Sequence, residues 1–295
     1  MQAQGVKPAL PVVLTVCEAR RENNEMVTLF LEAPDRSDAA ARGLDLAAFR
    51  PGQFFMVWVP RLDEKPYVLS YLDEGRLGIT VQRRGPFSTY LCELQPGARL
   101  GLRGPYGRPF WDVERHAVSS RAALFGGGCG MATMALLAER LPEATVVQGA
   151  RSADVVLFPG RFSRQVLFTD DGSAGRPGFP TQWLEEQEGT GAVDMVYTCG
   201  PEQMMFALAG ICRAAGIGCQ VSMERYMKCG IGVCGQCDCD GQLVCQDGPT
   251  FTLEDLARMP SFGAMRRDKT GRALPVGMGE SCPSGPQTGG EVVVD

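Results

Sequence analysis

Residues 122–140 read AALFGGGCGMATMALLAER, an apolar run followed by a glycine-rich turn and then a helical pattern. The helical pattern ends before Pro142, and a second apolar run covers Thr145 to Gln148. A strand, a turn, a helix and another strand in this order predict a βαβ unit of a parallel sheet. The strand-then-helix order returns at Val193 to Tyr197 and Glu202 to Ala214. This part of the chain is therefore predicted to be a parallel α/β domain.

The glycine-rich turn at residues 126–130 is the first candidate binding feature. Free backbone amides and the positive end of a helix would meet there, which suits a pyrophosphate group. The turn is not a strict G-x-G-x-x-G, and tight packing explains an isolated glycine turn about equally well. The turn alone therefore leaves both interpretations open.

The residues before this domain follow a different pattern. Between Leu10 and Phe110, short β-rich runs are separated by Gly and Pro turns. Strands at this spacing predict a small closed antiparallel barrel. The runs cover Val12 to Val16, Met26 to Leu31, Phe54 to Val59, Gly78 to Gln82 and Arg99 to Leu102.

Composition excludes several classes of function. The net charge of −5 offers no broad basic field, so nucleic-acid binding is not expected. The longest strongly apolar stretch, Phe54 to Val59, is far shorter than the roughly 20 residues of a membrane-spanning helix. The N-terminus lacks a signal-like apolar region. We therefore expect a cytoplasmic protein with no membrane contact.

A cluster of cysteines carries the strongest chemical signal. Cys229, Cys234, Cys237 and Cys245 are spaced C-x4-C-x2-C-x7-C, and the first three match the spacing of plant-type ferredoxins. Thiolates are soft ligands for iron, and the glycines between them let backbone amides approach the sulfurs. Zinc on four thiolates is the alternative, but zinc ribbons usually pair two C-x2-C knuckles and only one is present. The spacing therefore predicts a 2Fe-2S cluster.

Cys239 competes with Cys245 for the fourth ligand position. Only one residue separates Cys239 from Cys237, so in an extended chain their side chains point to opposite faces. Asp240-Gly241 is a strong hairpin signal that would return Cys245 to the cluster. Cys245 is therefore the predicted ligand.

Several motifs together resemble a known family. Their order is that of ferredoxin-reductase-like flavoproteins, and the cysteine region extends the likeness to electron-transfer subunits of dihydroorotate dehydrogenase B. The resemblance runs from about Val12 to Phe251. The motifs are Pro51-Gly52-Gln53-Phe54, Lys65-Pro66-Tyr67-Val68-Leu69-Ser70, Arg84-Gly85-Pro86-Phe87-Ser88, Gly104-Pro105-Tyr106-Gly107, Met223 to Gly230 and Cys245 to Pro249.

The resemblance implies two sets of cofactor-binding residues. FAD would lie against Lys65, Pro66, Tyr67, Val68, Ser70, Thr80, Val81, Gln82, Gly85, Phe87 and Ser88. NAD(H) would lie against Gly126, Gly127, Gly128, Cys129, Gly130, Asp171, Gly200 and Pro201. Cys199 would act in catalysis by positioning the nicotinamide near the flavin.

Lys65 and Val68 depart from the family pattern, in which Arg and Ser often stand at these positions. They lose a guanidinium fork and a hydroxyl at the flavin loop. They are the features that favour a non-enzymatic redox-sensing module as an alternative.

The fold class implied is α+β multidomain, with an antiparallel β-barrel flavin domain, a parallel α/β nucleotide-binding domain and a small C-terminal 2Fe-2S domain. The expected boundaries are 1–115, 116–222 and 223–252, followed by a polar tail at 253–295. The function implied is electron transfer between NAD(H), FAD and the cluster, to or from a catalytic dihydroorotate dehydrogenase-like subunit in a hetero-oligomer. Related chains that serve sulfhydrogenases, sulfite reductases or ferredoxin:NADP transhydrogenases are alternatives. NADH is expected to be preferred over NADPH.

Overall fold

The computed structural model describes residues 10–32, 44–73, 75–117 and 121–277. The first nine residues of the predicted barrel domain and residues 278–295 of the predicted tail lie outside this part of the chain. No helix formed by the described residues has the length and apolar character needed to cross a bilayer.

An antiparallel barrel forms the N-terminal part of the fold. In its first strand Val12, Leu14 and Val16 are buried and alternate with more exposed neighbours, so one face meets the core. The strands are β1 (Val12–Arg21), β2 (Met26–Glu32), β3 (Phe54–Val59), β4 (Asp63–Tyr67), β5 (Leu69–Leu72), β6 (Arg76–Gln82) and β7 (Arg99–Tyr106), with helix α1 (Pro86–Cys92) after β6.

The strand order of this sheet is β4-β3-β7-β1-β2-β6-β5, and all pairings are antiparallel. The edge strands β4 and β5 follow one another through Val68, so the sheet bends back on itself at that residue. The prediction of an antiparallel barrel is confirmed.

A parallel sheet forms the second domain. Its strands are β8 (Ala122–Gly127), β9 (Thr145–Ala150), β10 (Gln165–Thr169), β11 (Arg176–Pro177), β12 (Met195–Cys199) and β13 (Gly218–Ser222). Its helices are α2 (Val113–His116), α3 (Met131–Arg140), α4 (Thr181–Glu186) and α5 (Glu202–Ala215). Every residue of β8 is buried, as expected for a central strand with both faces covered.

The parallel strands of the second sheet have the order β11-β10-β9-β8-β12-β13, and an antiparallel strand at Thr250–Thr252 completes the sheet beyond β13. The chain thus leaves β8 for β9 on one side and later returns to β12 on the other. Such a reversal of strand order creates a crevice at the carboxyl ends of the strands, where open α/β sheets bind ligands. The glycine-rich turn after β8 and the turn after β12 both lie at this crevice.

The cysteine-rich segment is attached to the second sheet. Its elements are β14 (Asp238–Cys239), β15 (Gln242–Leu243), β16 (Thr250–Thr252), α6 (Leu253–Leu256), β17 (Met265–Arg267) and β18 (Ala273–Pro275). Asp240 and Gly241 have positive φ angles of 52° and 85° and form the hairpin turn between β14 and β15, as the sequence predicted. Strand β16 pairs antiparallel with β13.

Residues 253–277 belong to the segment that the sequence suggested as a polar tail. Met259 and Phe262 in this stretch are buried, and the ring of Phe262 packs on that of Phe206 in α5. This part of the chain is therefore folded against the α/β domain.

Candidate functional site

The structure brings Cys229, Cys234, Cys237 and Cys245 together as two pairs. The backbone amide of one member of each pair donates to the sulfur of the other, from Cys234 to Cys229 Sγ at 3.5 Å and from Cys245 to Cys237 Sγ at 3.4 Å. A 2Fe-2S cluster has four cysteine ligands on two irons, and two pairs of thiols fit this ligand set.

Backbone amides surround these sulfurs. The amides of Ile231 and Cys234 donate to Cys229 Sγ at 3.5 Å each, and that of Gly232 donates to Cys245 Sγ at 3.2 Å. The amide of Cys245 donates to Cys237 Sγ at 3.4 Å. Amide donors stabilise thiolates and tune an iron-sulfur cluster, so the loop fits the group that the spacing predicts.

The thiol pKa values follow this arrangement. Burial alone would raise the pKa of Cys229, but the amides outweigh it and lower that pKa to about 7. Within the second pair, the Cys245 thiol donates to Cys237 and lowers the pKa of Cys237 to about 7, while the pKa of Cys245 is raised. Each pair thus contains one thiol that ionises near neutral pH, and the resulting thiolate is the form that binds metal.

Cys239 lies apart from these pairs. Its sulfur is 3.5 Å from Nη2 of Arg225, and burial raises the pKa of its thiol. Arg225 in turn makes a two-armed ion pair with Glu202, at 2.6 and 2.8 Å. The geometry therefore favours Cys245 as the fourth ligand, and Cys239 belongs to a different network.

The predicted flavin residues meet at the junction of β4, β5, β6 and α1. The rings of Tyr67 and Phe87 stack with centroids 6.4 Å apart. Gly85 precedes α1 with open space where a side chain would stand. Ser88 Oγ accepts hydrogen bonds from the amides of Arg84 and Gly85. Together with Pro66 and Val68 these residues form a corner of the barrel that is open at Gly85, called the flavin corner below.

Other predicted flavin residues point elsewhere. Ser70 and Thr80 are buried, with their hydroxyls 2.7 Å apart, and Val81 is fully buried as well. Gln82 donates to Glu25 at 2.8 Å. Because the side chains of Ser70, Thr80 and Val81 are buried, only their backbone is left to contact a flavin. Lys65 Nζ lies 2.6 Å from Asp63 and donates to the hydroxyl of Tyr226 at 3.0 Å, so its charge is held towards the cysteine segment.

The two turns at the crevice pack backbone against backbone. A methyl group on Gly130 would overlap the carbonyl of Cys199 and lie 2.6 Å from the Cα of Gly200. A methyl group on Gly127 would lie 2.5 Å from Pro201 Cδ. Gly126 is equally close to Met131, whereas Gly128 has a φ of +52° and open space around it. The structure therefore brings the glycine-rich turn and the Cys199-Gly200-Pro201 turn into direct contact.

Cys199 and Cys129 face the same carboxylate at this contact. The sulfur of the buried Cys199 lies 4.0 Å from Oε1 of Glu224. Desolvation, followed by the charge of Glu224, raises the pKa of Cys199 and raises that of the half-buried Cys129 to about 12. Both thiols stay protonated at neutral pH, which suits a positioning role rather than metal ligation.

Asp171 lies on a loop after β10, away from this contact. It is exposed, and its carboxylate accepts from the hydroxyl and amide of Ser173 at 2.6 and 3.0 Å. The hydroxyl of Ser173 lowers the pKa of Asp171. Its own amide donates to the carbonyl of Arg151 after β9, so the ends of these neighbouring strands form one edge of the crevice.

Sequence reasoning missed Glu224, Arg225, Glu202 and Arg103. Glu224 and Arg225 lie inside the motif quoted for the cysteine segment, but spacing does not show that they face Cys199 and Glu202. Glu202 directly follows the Cys199-Gly200-Pro201 turn, and Arg225 directly follows Glu224. Their ion pair therefore holds this turn next to the segment that carries Glu224. The only sequence signal for Arg103 was a charged residue directly after the β-rich run that ends at Leu102.

Comparison with known proteins supports the same family. Residues 224–257 match the iron-sulfur cluster binding domain of dihydroorotate dehydrogenase B. A probable dihydroorotate dehydrogenase B (NAD(+)) electron transfer subunit of Methanopyrus kandleri is 40% identical over 273 residues, which cover 89% of this chain and 97% of that protein. The corresponding protein of Thermococcus kodakarensis is 44% identical over 215 residues, covering 70% of this chain and 87% of the relative.

Solved structures share the fold. An NADH-dependent reduced ferredoxin-NADP oxidoreductase aligns with a TM-score of 0.69 at 24% identity, covering 83% of this chain and 89% of that chain. Phthalate dioxygenase reductase aligns with a TM-score of 0.53 at 19% identity, covering 68% of this chain and 64% of that chain. The identities to the two full-length relatives confirm the resemblance first seen in the motifs, and the chain belongs to the family of dihydroorotate dehydrogenase B electron transfer subunits.

Proposed function

We propose that this chain exchanges electrons between NADH and a catalytic dihydroorotate dehydrogenase-like subunit, by way of bound FAD and a 2Fe-2S cluster. The observation that carries the proposal is the set of backbone amides that donate to the sulfurs of Cys229, Cys237 and Cys245. These cysteines lie in a segment that matches the family's iron-sulfur domain. When bound, a flavin takes two electrons as hydride and releases them singly, which lets a nicotinamide serve a one-electron cluster.

Separate groups of residues in this chain would bind the three cofactors. Cys229, Cys234, Cys237 and Cys245 would hold the cluster, and the corner at Pro66, Tyr67, Gly85 and Ser88 would hold FAD. The amides of the glycine-rich turn at residues 126–130 would hold the pyrophosphate of NADH.

Cys199 and Glu224 would set the position of the nicotinamide. The neutral thiol of Cys199 gives a small, uncharged surface, and the Glu202–Arg225 pair ties the Cys199-Gly200-Pro201 turn to the segment that carries Glu224. No described histidine or acid is needed to move a proton in this step, because hydride transfer carries its own hydrogen. These side chains thus contribute orientation rather than acid–base chemistry.

The partner follows from the names of the relatives, which are electron transfer subunits of a larger enzyme. We propose a hetero-oligomer with a catalytic oxidoreductase subunit, in the cytoplasm, where cysteines remain reduced and available to iron.

An absorbance spectrum of the purified protein tests the proposal. Flavin and cluster bands should both be present, and both should bleach when NADH is added under anaerobic conditions. Co-purification with a dihydroorotate-oxidising subunit should follow. A protein without a flavin band, or one that NADH leaves unchanged, would instead favour the sensing module.

The preference for NADH is expected to depend on Glu25. Arg151 directly follows β9, where related folds read the ribose 2′ position, and a free arginine there would bind the 2′-phosphate of NADPH. Here the guanidinium of Arg151 is hydrogen-bonded to Glu25. Glu25→Gln should free Arg151 and raise the ratio of kcat/KM for NADPH to that for NADH about fivefold, since an exposed charge pair contributes up to ~1 kcal/mol.

Glu18→Gln is the control, because Glu18 pairs with Arg76 elsewhere on the barrel. An unchanged ratio in Glu25→Gln would place Arg151 away from the 2′ position. A wild-type kcat/KM for NADPH tenfold above that for NADH would contradict the preference itself.

A further inference from the structure

A buried arginine of the barrel contacts the first cysteine of the cluster loop. Arg103 in β7 is 8% exposed. Its Nε and Nη2 donate to the two carboxylate oxygens of Glu64 at 2.6 and 2.7 Å, and Nη1 donates to the hydroxyl of Tyr106 at 3.2 Å. Nη2 also donates to the carbonyl oxygen of Cys229 at 2.7 Å. One guanidinium therefore joins two barrel strands to the cluster loop.

The same face of the barrel packs against the neighbouring loop residues 226–230. A methyl group on Gly230 would lie 2.8 Å from Met56 Sδ in β3, so the loop backbone rests directly on that side chain. Lys65 in β4 donates to Tyr226 and lies over its ring, 4.8 Å from the centroid. Strands β4, β3 and β7 are adjacent in the sheet, so these contacts form one continuous seat for residues 226–230.

Strand β4 also carries the flavin motif. Glu64, which holds Arg103, is three residues before Tyr67, a distance of about 10 Å along an extended strand. A short path of one strand and three hydrogen bonds therefore connects the flavin corner, through Glu64 and Arg103, to the residue that would supply the first cluster ligand.

Stability alone does not account for this pair. Burying two charges carries a desolvation cost, and apolar side chains of similar volume are often as stabilising. A bidentate guanidinium does offer fixed geometry, and Nη2 of this one also donates to the carbonyl oxygen of Cys229 in the cluster loop.

We propose that Arg103 is a positioning residue for electron exchange between flavin and cluster, because it fixes the backbone of Cys229 to the strand that carries the flavin motif. The inference rests on the proposed function. Loss of this tie should slow electron transfer to the cluster and leave reduction of the flavin by NADH unchanged.

The test compares three proteins with the wild type. Arg103→Met with Glu64→Met removes the tie and leaves no unpaired buried charge, while Arg103→Lys keeps the charge and loses the fork. Arg76→Met with Glu18→Met is the control, because this exposed barrel pair has no contact with the cluster loop. Stopped-flow absorbance after NADH addition resolves flavin and cluster reduction, and iron and flavin content are measured on each protein.

We expect the Arg103/Glu64 double variant to bind both cofactors and reduce flavin within twofold of the wild-type rate, but to reduce the cluster at least tenfold more slowly. Arg103→Lys should recover part of the lost rate, and the control should match the wild type. In cluster-free protein, hydrogen exchange at the amides of residues 231–234 should accelerate in the double variant alone.

Cluster reduction at the wild-type rate in a double variant that holds both cofactors would overturn the inference, as would an equal loss in the control. If the double variant does not fold, Arg103→Lys decides, because wild-type rates for both steps in it would also overturn the inference. Failure of the proposed function is distinct, since the wild type would then lack a cofactor or fail to react with NADH.

Discussion

Replacing Cys245 with serine should remove or destabilise the 2Fe-2S cluster, while FAD stays on the barrel. The amide of Cys245 donates to Cys237 Sγ at 3.4 Å, and the sulfur of Cys245 accepts the amide of Gly232 at 3.2 Å. A serine oxygen is a harder ligand with a much higher pKa and is poorly suited to iron in a thiolate site. Iron and acid-labile sulfide analysis, with electron paramagnetic resonance of the reduced protein, measures the loss directly.

Cys239→Ser is the matched control, because it makes the same chemical change six residues earlier in the chain, on the first strand of the β14–β15 hairpin. Its sulfur contacts Arg225 and lies outside both thiol pairs, so this variant should keep the cluster and FAD. A cluster lost from Cys239→Ser but retained in Cys245→Ser would reverse the ligand assignment.

The sequence predicted correct bounds for those elements whose apolar pattern lies within the element itself. Phe54–Val59 is a continuous apolar run and Met131–Arg140 has a helical period, and both have the expected limits. Strand β4 was not predicted, because Asp63–Tyr67 is polar and contains Pro66. It is an edge strand formed by pairing with β3, which is where a sheet tolerates proline.

Longer and additional elements have similar tertiary causes. β1 continues to Arg21 because Glu18 to Arg21 pair with β2 beyond a bulge, although these residues carry no apolar signal. Helix α1 (Pro86–Cys92) is an additional element that the sequence analysis did not predict. The hydroxyl of Ser88 caps its first turn by accepting the amide of Gly85, a contact that appears only once the chain has turned.

The candidate site also contains residues with a local sequence pattern and residues that only tertiary packing brings together. The four predicted cysteine ligands lie in a single 17-residue stretch, so their spacing in the sequence alone was enough to single them out. The contact between Arg103 and Cys229 spans 126 positions of the chain, and Arg225 with Glu202 spans 23. Neither pair has a local pattern, since each exists only after the barrel, the sheet and the cysteine segment have packed together.

The contact between the two crevice turns yields the second large expected effect. Gly130→Ala should lower the free energy of unfolding by about 3 kcal/mol, because overpacking against backbone costs typically 1–3 kcal/mol and here no flexible side chain can yield. The new methyl group would overlap the carbonyl of Cys199 and lie 2.5 Å from its carbonyl carbon. The Cys199 turn would be pushed away from the glycine-rich turn, and NADH would then reduce the flavin at least tenfold more slowly.

Urea unfolding followed by tryptophan fluorescence measures the first effect, since Trp183 packs on Phe125 in the central strand of this domain. Gly210→Ala is the control, because Gly210 is exposed within α5 and a methyl group there meets nothing within 4 Å. That substitution should stabilise the helix by about 0.5–1 kcal/mol. FAD content should be unchanged in both variants, because the flavin corner lies on the barrel. Wild-type unfolding together with wild-type flavin reduction in Gly130→Ala would mean that the two turns do not pack as closely as their backbones indicate.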